Sequence, residues 1–259
     1  MPGCPMLALT HVPSPNLQRC ERTYVAQAPI DYARAVEQHE AYCRMLRQCG
    51  AEVRTLDVNR DLPDCVFIED TAIVLDDVAV LTSMGAPSRR AEPAGVEPEL
   101  RKYREVTRVE LPATIEGGDV LRVGRTLLVG QSSRTNAAGV EALQAVARRF
   151  GYEVRPVPVR RCLHLKSAVA ALPDGRLLAN PDWLDAEALR GFELVRVPDA
   201  EPDAANAVLA GACVCLPAAH PQTADLVRRL GFEVRTVDVS EFAKAEGCVT
   251  CLSLLFKER

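Results

Sequence analysis

Four short strings in this chain repeat one pattern: Gly50-Ala51-Glu52-Val53-Arg54, Gly151-Tyr152-Glu153-Val154-Arg155, Gly191-Phe192-Glu193-Leu194-Val195 and Gly231-Phe232-Glu233-Val234-Arg235. Each glycine ends a helix-like run and opens an alternating strand. The last three glycines lie 40 residues apart, and a degenerate fifth copy at 103–109 fills the wider gap between 50 and 151. A fixed period of about 40 residues is the mark of repeated supersecondary units that bury their faces against one another.

The segments between the glycines fit that frame. Apolar runs around short turns read as hairpins at 73–81, 120–129, 168–178 and 207–216, the first of them preceded by a further strand-like run, Val66-Phe67-Ile68. Helical patterns cover 31–49, 137–150, 186–189 and 222–230. In the 31–49 segment the inner face falls on Val36, Tyr42, Met45 and Leu46, while His39 falls outside it. Each unit therefore reads as hairpin, helix, strand, turn. The short strand at 6–9 completes the unit whose other strand is 250–256. No terminal unit is polar enough to cap an open stack, so five units are expected to close into a ring. The stretch 86–101, with its prolines and arginines, breaks the pattern and reads as a mobile loop. No linker interrupts the chain, and residues 1–259 read as a single α/β domain.

Composition narrows the partners. The net charge of -4, with acids and bases interspersed, argues against a nucleic-acid surface. No apolar run is long enough to span a membrane. Ten cysteines without a secretory opening point to free thiols in a reducing cytoplasm. Cys248 and Cys251 have CxxC spacing, but no second such pair exists, and Cys213 and Cys215 alternate across one strand. The reading therefore takes no metal. A homodimer is compatible with the sequence, which does not distinguish exposed from buried apolar faces.

Superposing the units places Asp70, Asp119, Ser167, Asn206 and Cys251 at equivalent starts of the five hairpins. In a closed ring these polar positions converge on the axis, where a core would not call for them. As single residues they would serve equally well as strand-end caps. Carboxylates crowd the same region: Asp64, Glu69 and Asp70 before one hairpin, Glu116 and Asp119 before the next. Such a density of anions suits a cationic ligand, and a planar guanidinium matches paired carboxylates better than an ammonium does. Arg89 and Arg134 are available for an anionic end of that ligand, although Arg134 also fits an ordinary helix start. Of four histidines, His164 alone lies beside the proposed axis, just before the third hairpin.

The strings that carry these residues resemble a known family. Asp64-Cys65-Val66-Phe67-Ile68-Glu69-Asp70, Gly85-Ala86-Pro87-Ser88-Arg89-Arg90, Glu116-Gly117-Gly118-Asp119, Ser133-Arg134-Thr135-Asn136, Leu163-His164-Leu165-Lys166-Ser167 and Thr250-Cys251-Leu252-Ser253 are similar, in order, to those of dimethylarginine dimethylaminohydrolases. These belong to the guanidine-modifying, or pentein, superfamily. The resemblance implies a five-bladed αβ propeller with pseudo-five-fold symmetry and a central pocket. It also implies cofactor-free hydrolysis of Nω-methylated arginines to citrulline and an alkylamine. Carried over by motif, Cys251 is the nucleophile, His164 the general acid and base, and Glu116 the partner of that histidine. Asp64, Glu69 and Asp70 hold the guanidinium, Arg89 and Arg134 the carboxylate, and the carbonyl of Leu17 the α-amino group. Phe67 or Leu17 would line a slot for the methyl groups. Two alternatives stay open from sequence: an arginine deiminase-like hydrolase, and a non-catalytic methylarginine-binding protein of the same fold.

Overall fold

The glycines that punctuate the sequence share one backbone state: Gly50, Gly151, Gly191 and Gly231 have φ of 87°, 73°, 97° and 92°. That left-handed conformation ends a helix and turns the chain into the next strand, at little cost only for a residue without Cβ. In the computed structural model, which describes residues 5–258, these turns separate five three-stranded sheets.

The first sheet holds β1 (Met6–His11), β2 (Ala51–Leu56) and β15 (Leu254–Lys257), in the order β15-β1-β2. The second holds β3 (Ala72–Val74), β4 (Val78–Leu81) and β5 (Glu105–Arg108), and the third β6 (Val120–Val123), β7 (Thr126–Gln131) and β8 (Glu153–Pro158). The fourth comprises β9 (Val169–Ala171), β10 (Leu177–Ala179) and β11 (Leu194–Arg196), and the fifth β12 (Val208–Ala210), β13 (Cys213–Pro217) and β14 (Glu233–Val237). In each, an antiparallel pair, a hairpin in all but the first sheet, is followed by a crossover to a third, parallel strand. The crossovers are α1 (Tyr32–Gln48), α2 (Glu92–Leu100), α3 (Ala137–Arg148), a single 3-10 turn at Ala186–Leu189, and α5 (Pro221–Arg229). Two one-turn helices, α4 (Leu165–Ala168) and α6 (Ser240–Ala243), complete the set.

Strand periodicity explains why the units close. Alternate side chains of each middle strand enter different apolar clusters, one on either side of the sheet. Leu7 and Leu9 pack with Ala79 and Leu81 of the second sheet, whereas Ala8 packs with Cys213 and Cys215 of the fifth. Val78 and Val80 join Leu127 and Val129, Leu128 joins Leu177 and Ala179, and Leu178 joins Val214 and Leu216. Five interfaces thus link five sheets head to tail, a pentein-type propeller. The N-terminal strand pairs with the C-terminal one, Met6 opposite Lys257, as the sequence suggested.

Three expectations are corrected. The stretch 86–101 is not a loop: it forms a 3-10 turn, Pro87–Arg89, and helix α2, which buries Val96 and Leu100. Pro93 lies in the first turn of that helix, where a missing N–H leaves no intrahelical bond unmade. Residues 66–68 are a turn leading into the 3-10 helix Ile68–Thr71, not a strand. His39 is buried rather than at the surface, on the same face of α1 as Ala35, Tyr42 and Leu46, with Val36 only half buried. Burial lowers its pKa to about 4, so it packs as a neutral ring. Of the ten cysteines, Cys4 lies outside the described residues, and the other nine form no disulfide. No helix among the described residues is long and apolar enough to cross a membrane.

Candidate active site

Each inner strand is preceded by a short turn, and four of these turns are helical: Ile68–Thr71, Gly117–Asp119, α4 and Thr250–Leu252. The first packs against the second and the fourth, and α4 packs against the second. The hairpin starts singled out in the sequence therefore meet at one end of the ring. Asn206, at the remaining start, ties two of them together. Its Nδ2 donates to Lys166 O and Thr250 Oγ1, and its Oδ1 accepts from Thr250 N.

His164 lies at the centre of this group. Its Nε2 donates to Glu116 Oε2 at 2.8 Å and lies 3.9 Å from Asp70 Oδ1. Burial alone would lower the imidazole pKa, but Asp70, Asp119 and Glu116 outweigh it and hold the value at about 9. At neutral pH the ring is an imidazolium. Glu116 is fully buried, and its Oε1 accepts from Gly85 N at 3.0 Å and lies 3.8 Å from Arg134 Nη1. Asp119 receives the amide of Leu165 at 2.9 Å and the Ser132 hydroxyl at 2.6 Å, fixing the backbone next to the histidine.

Glu116-Gly117-Gly118-Asp119 owes its glycines to these same neighbours. A Cβ on Gly118 would stand 2.6 Å from His164 Nδ1 and 2.8 Å from Asp70 Oδ1, and one on Gly117 would stand 2.0 Å from Glu69 O. The close approach that these glycines permit is made by the site's own residues. Gly118 N also donates to Asp70 Oδ1 at 3.0 Å.

The carboxylates differ in state. Burial would raise Asp70, yet His164, Arg89 and the Gly118 amide hold it below the usual carboxylate range. Glu69 is raised by burial, with Lys166 opposing: Lys166 Nζ donates to Glu69 Oε1 at 2.8 Å. Its second oxygen, Oε2, is buried without a hydrogen-bond partner. Asp64 is likewise raised by burial, partly offset by Arg89 and by the Glu21 amide, which it accepts on both oxygens at 3.2 Å. Behind the turns the inner strands line a cavity of about 700 Å³, bounded at this end by Glu69, Gly117, Lys166 and Thr250.

Cys251 is half-buried, and its Sγ accepts from Cys248 N at 3.4 Å. Burial pushes the thiol well above its ordinary pKa, and the charges of Glu69 and Asp70 push it further. In the unliganded protein it is a neutral thiol. Leu17 is buried in the apolar cluster that Cys251 edges, and its carbonyl accepts from Cys20 N at 3.1 Å. Phe67 packs edge-on to Phe242 and close to Gly247, so it is part of the core rather than the wall of an open slot.

The two arginines are placed differently. Arg134 Nη2 donates to Thr23 Oγ1 at 3.1 Å. Arg89 is buried, with Nη1 on Asp70 at 2.7 Å, Nε and Nη2 on Glu92, and Nη2 also on Phe67 O. In this structure its donors serve that network and not an open pocket. Sequence reading missed Glu92, three residues from Arg89, and Lys166, two residues from His164. Their spacing to a site residue was the available signal for both.

Asp70, Glu116 and His164 bring one ligand-type atom each within 4.8 Å of one another. A metal could use that donor set, but Arg89 and the imidazolium already balance its two carboxylates.

Comparison with known proteins agrees with this architecture. The family model described as N,N dimethylarginine dimethylhydrolase, eukaryotic, matches residues 19–172. An N(G),N(G)-dimethylarginine dimethylaminohydrolase of Streptomyces coelicolor is 43% identical over 252 residues, covering 97% of each chain. Its counterpart in Pseudomonas aeruginosa is 36% identical over 228 residues, covering 87% of this chain and 90% of its own. A crystal structure of a variant of the Pseudomonas enzyme, complexed with citrulline, superposes with a TM-score of 0.91 at 33% identity, covering 98% of this chain and 100% of that one. The chain belongs to the dimethylarginine dimethylaminohydrolase family, within the guanidine-modifying superfamily.

Proposed function

We propose that the protein hydrolyses Nω,Nω-dimethyl-L-arginine and Nω-methyl-L-arginine to L-citrulline, releasing dimethylamine or methylamine. One observation carries the reading. The Cys251 thiol feels the charges of Glu69 and Asp70, and Asp70 in turn lies 3.9 Å from the buried His164 that Glu116 holds. The names of the two bacterial relatives support the same chemistry.

A guanidinium is a weak electrophile because its charge is delocalised, so its carbon has to be fixed against a strong nucleophile. Glu69, with one oxygen free, Asp70 and Asp64 bind the cation. Its arrival offsets the anions that suppress ionisation of Cys251, and the thiol releases its proton to solvent to give the attacking thiolate. Sulfur attacks the guanidinium carbon. The His164 imidazolium then gives its proton to the departing amine, leaving a thiouronium on Cys251. The same ring, now neutral, takes a proton from water as the water attacks. Collapse breaks the C–S bond and yields citrulline and the thiol. Arg134 and Arg89 take the carboxylate end and the carbonyl of Leu17 the amino group, Arg89 by leaving part of its present network. No cofactor takes part in these steps.

Closure of the ring pairs β1 with β15, and residues 1–259 act as one cytoplasmic domain on this reading. Light scattering that returns twice the chain mass would support the homodimer. The reaction itself is tested by citrulline release from monomethylarginine, asymmetric dimethylarginine and free arginine. Turnover of the methylated substrates supports the proposal. Turnover of arginine alone would move the protein to the deiminases, and binding without citrulline would make it a non-catalytic receptor.

A further inference from the structure

Two buried polar side-chain atoms among the described residues have no hydrogen-bond partner: Glu69 Oε2 and Arg22 Nη2. The first is accounted for by a guanidinium. The second belongs to residues 20–31, a mostly exposed stretch without regular structure, half-buried at Arg22, that the proposed reaction has not used.

Residues 21–24 of that stretch are tied to the turns around the site. Glu21 N donates to both oxygens of Asp64, and Arg22 Nε donates to Lys244 O at 2.9 Å. Thr23 N and Tyr24 N donate to the two oxygens of Glu246 at 2.6 Å each. Thr23 Oγ1 accepts from Arg134 Nη2. Glu246 has φ of 64°, a state that non-glycine residues adopt at a cost and keep only where surroundings enforce it. The Arg22 guanidinium therefore sits on the 244–246 turn that leads to Cys251, and its chain neighbours Glu21 and Thr23 meet Asp64 and Arg134. Arg89 reaches a carboxylate only by giving up part of its network. Arg22 keeps a buried nitrogen open, and a buried donor without an acceptor is a standing cost until an anion fills it.

We propose that Arg22 is a further substrate-binding residue, its Nη2 taking the carboxylate of the amino-acid substrate alongside Arg134. The inference rests on the function proposed above. A zwitterionic arginine derivative then satisfies both orphaned atoms, its guanidinium at Glu69 and its carboxylate at Arg22, and the stretch 20–31 reads out the amino-acid end of the ligand.

The test is calorimetric binding of Nω,Nω-dimethyl-L-arginine and of its decarboxylated analogue, Nω,Nω-dimethylagmatine, to the Cys251→Ser protein with and without Arg22→Gln. Loss of a charged hydrogen bond predicts about tenfold weaker binding of dimethylarginine, with the analogue changed by less than about twofold. Arg22→Lys, which keeps the stem and charge but not the fork, should show the same selectivity at smaller size, and serves if Arg22→Gln does not fold. Equal weakening of both ligands, or of neither, overturns the proposal, as does absence of dimethylarginine binding to the parent. Failure of the proposed reaction shows separately, as binding without citrulline from protein that retains Cys251.

Discussion

His164 Nε2 donates a 2.8 Å hydrogen bond to Glu116 Oε2, joining the turn that opens the third sheet to the turn that opens the fourth. Both side chains are buried, and the pair converts a ring that burial would neutralise into an imidazolium with a pKa of about 9. The proton donation to the leaving amine proposed above depends on that state.

Glu116→Gln removes one of three anions that raise the His164 pKa. The folded-state value should fall below about 9, so the protonated form is lost at lower pH. The alkaline limb of kcat/KM should shift downward, and kcat should drop by about 10²–10⁴ if acid–base catalysis is impaired. A pH–rate series checks both. An unmoved alkaline limb would show that Glu116 does not set the histidine's charge.

The thiol of Cys251 should be sluggish in the free protein. Burial and the neighbouring carboxylates raise its pKa, so alkylation at pH 7 should be slower than for a model thiol and should climb as pH rises past 9. Mapping the labelled peptide separates Cys251 from Cys248, whose thiol burial pushes up to about 12. A plateau in the labelling of Cys251 by pH 6 would mean a preformed thiolate and would remove the need for the substrate's charge.

Lys166→Met should act through Glu69. Lys166 opposes the rise in the Glu69 pKa that burial causes. Without it that pKa climbs further, and Glu69 is protonated over a wider range on the acid side. The acidic limb of kcat/KM should move to higher pH, with KM at neutral pH up by about tenfold or more and kcat affected less. A loss confined to kcat would contradict this division of labour.

Gly118→Ala puts a methyl against His164 and Asp70, so both have to shift by a few tenths of an ångström or more. The expected result is a fall in kcat/KM of about tenfold or more, because small misplacements of reacting groups are costly. Gly124→Ala is the control: with φ of 59° and nothing within 4 Å, it should cost about 1–2 kcal/mol of stability and spare the rate. Equal kinetics for the two variants would remove the steric account of the Gly117-Gly118 pair.

Much of this arrangement was legible because the repeat unit places functional and structural signals in fixed register. The left-handed glycines marked the crossovers, and the polar hairpin starts marked the ring axis. Helix α2 escaped notice because Pro93 and Pro98 look like breakers, although Pro93 occupies the one turn that tolerates it. His39 was placed at the surface by residue type, while its spacing of four from Ala35 put it on the buried stripe. Contacts such as Arg22 with Lys244, or Tyr24 with Glu246, span 222 residues and leave no trace in local pattern. Only closure of the ring brings them together.

The most direct test of the account is mass spectrometry of the protein acid-quenched during turnover of dimethylarginine. The account predicts a thiouronium adduct on the peptide carrying Cys251, formed and lost at rates that match citrulline release, and absent in Cys251→Ser. Citrulline production at normal rate with no adduct on Cys251, or with the serine variant, would contradict it.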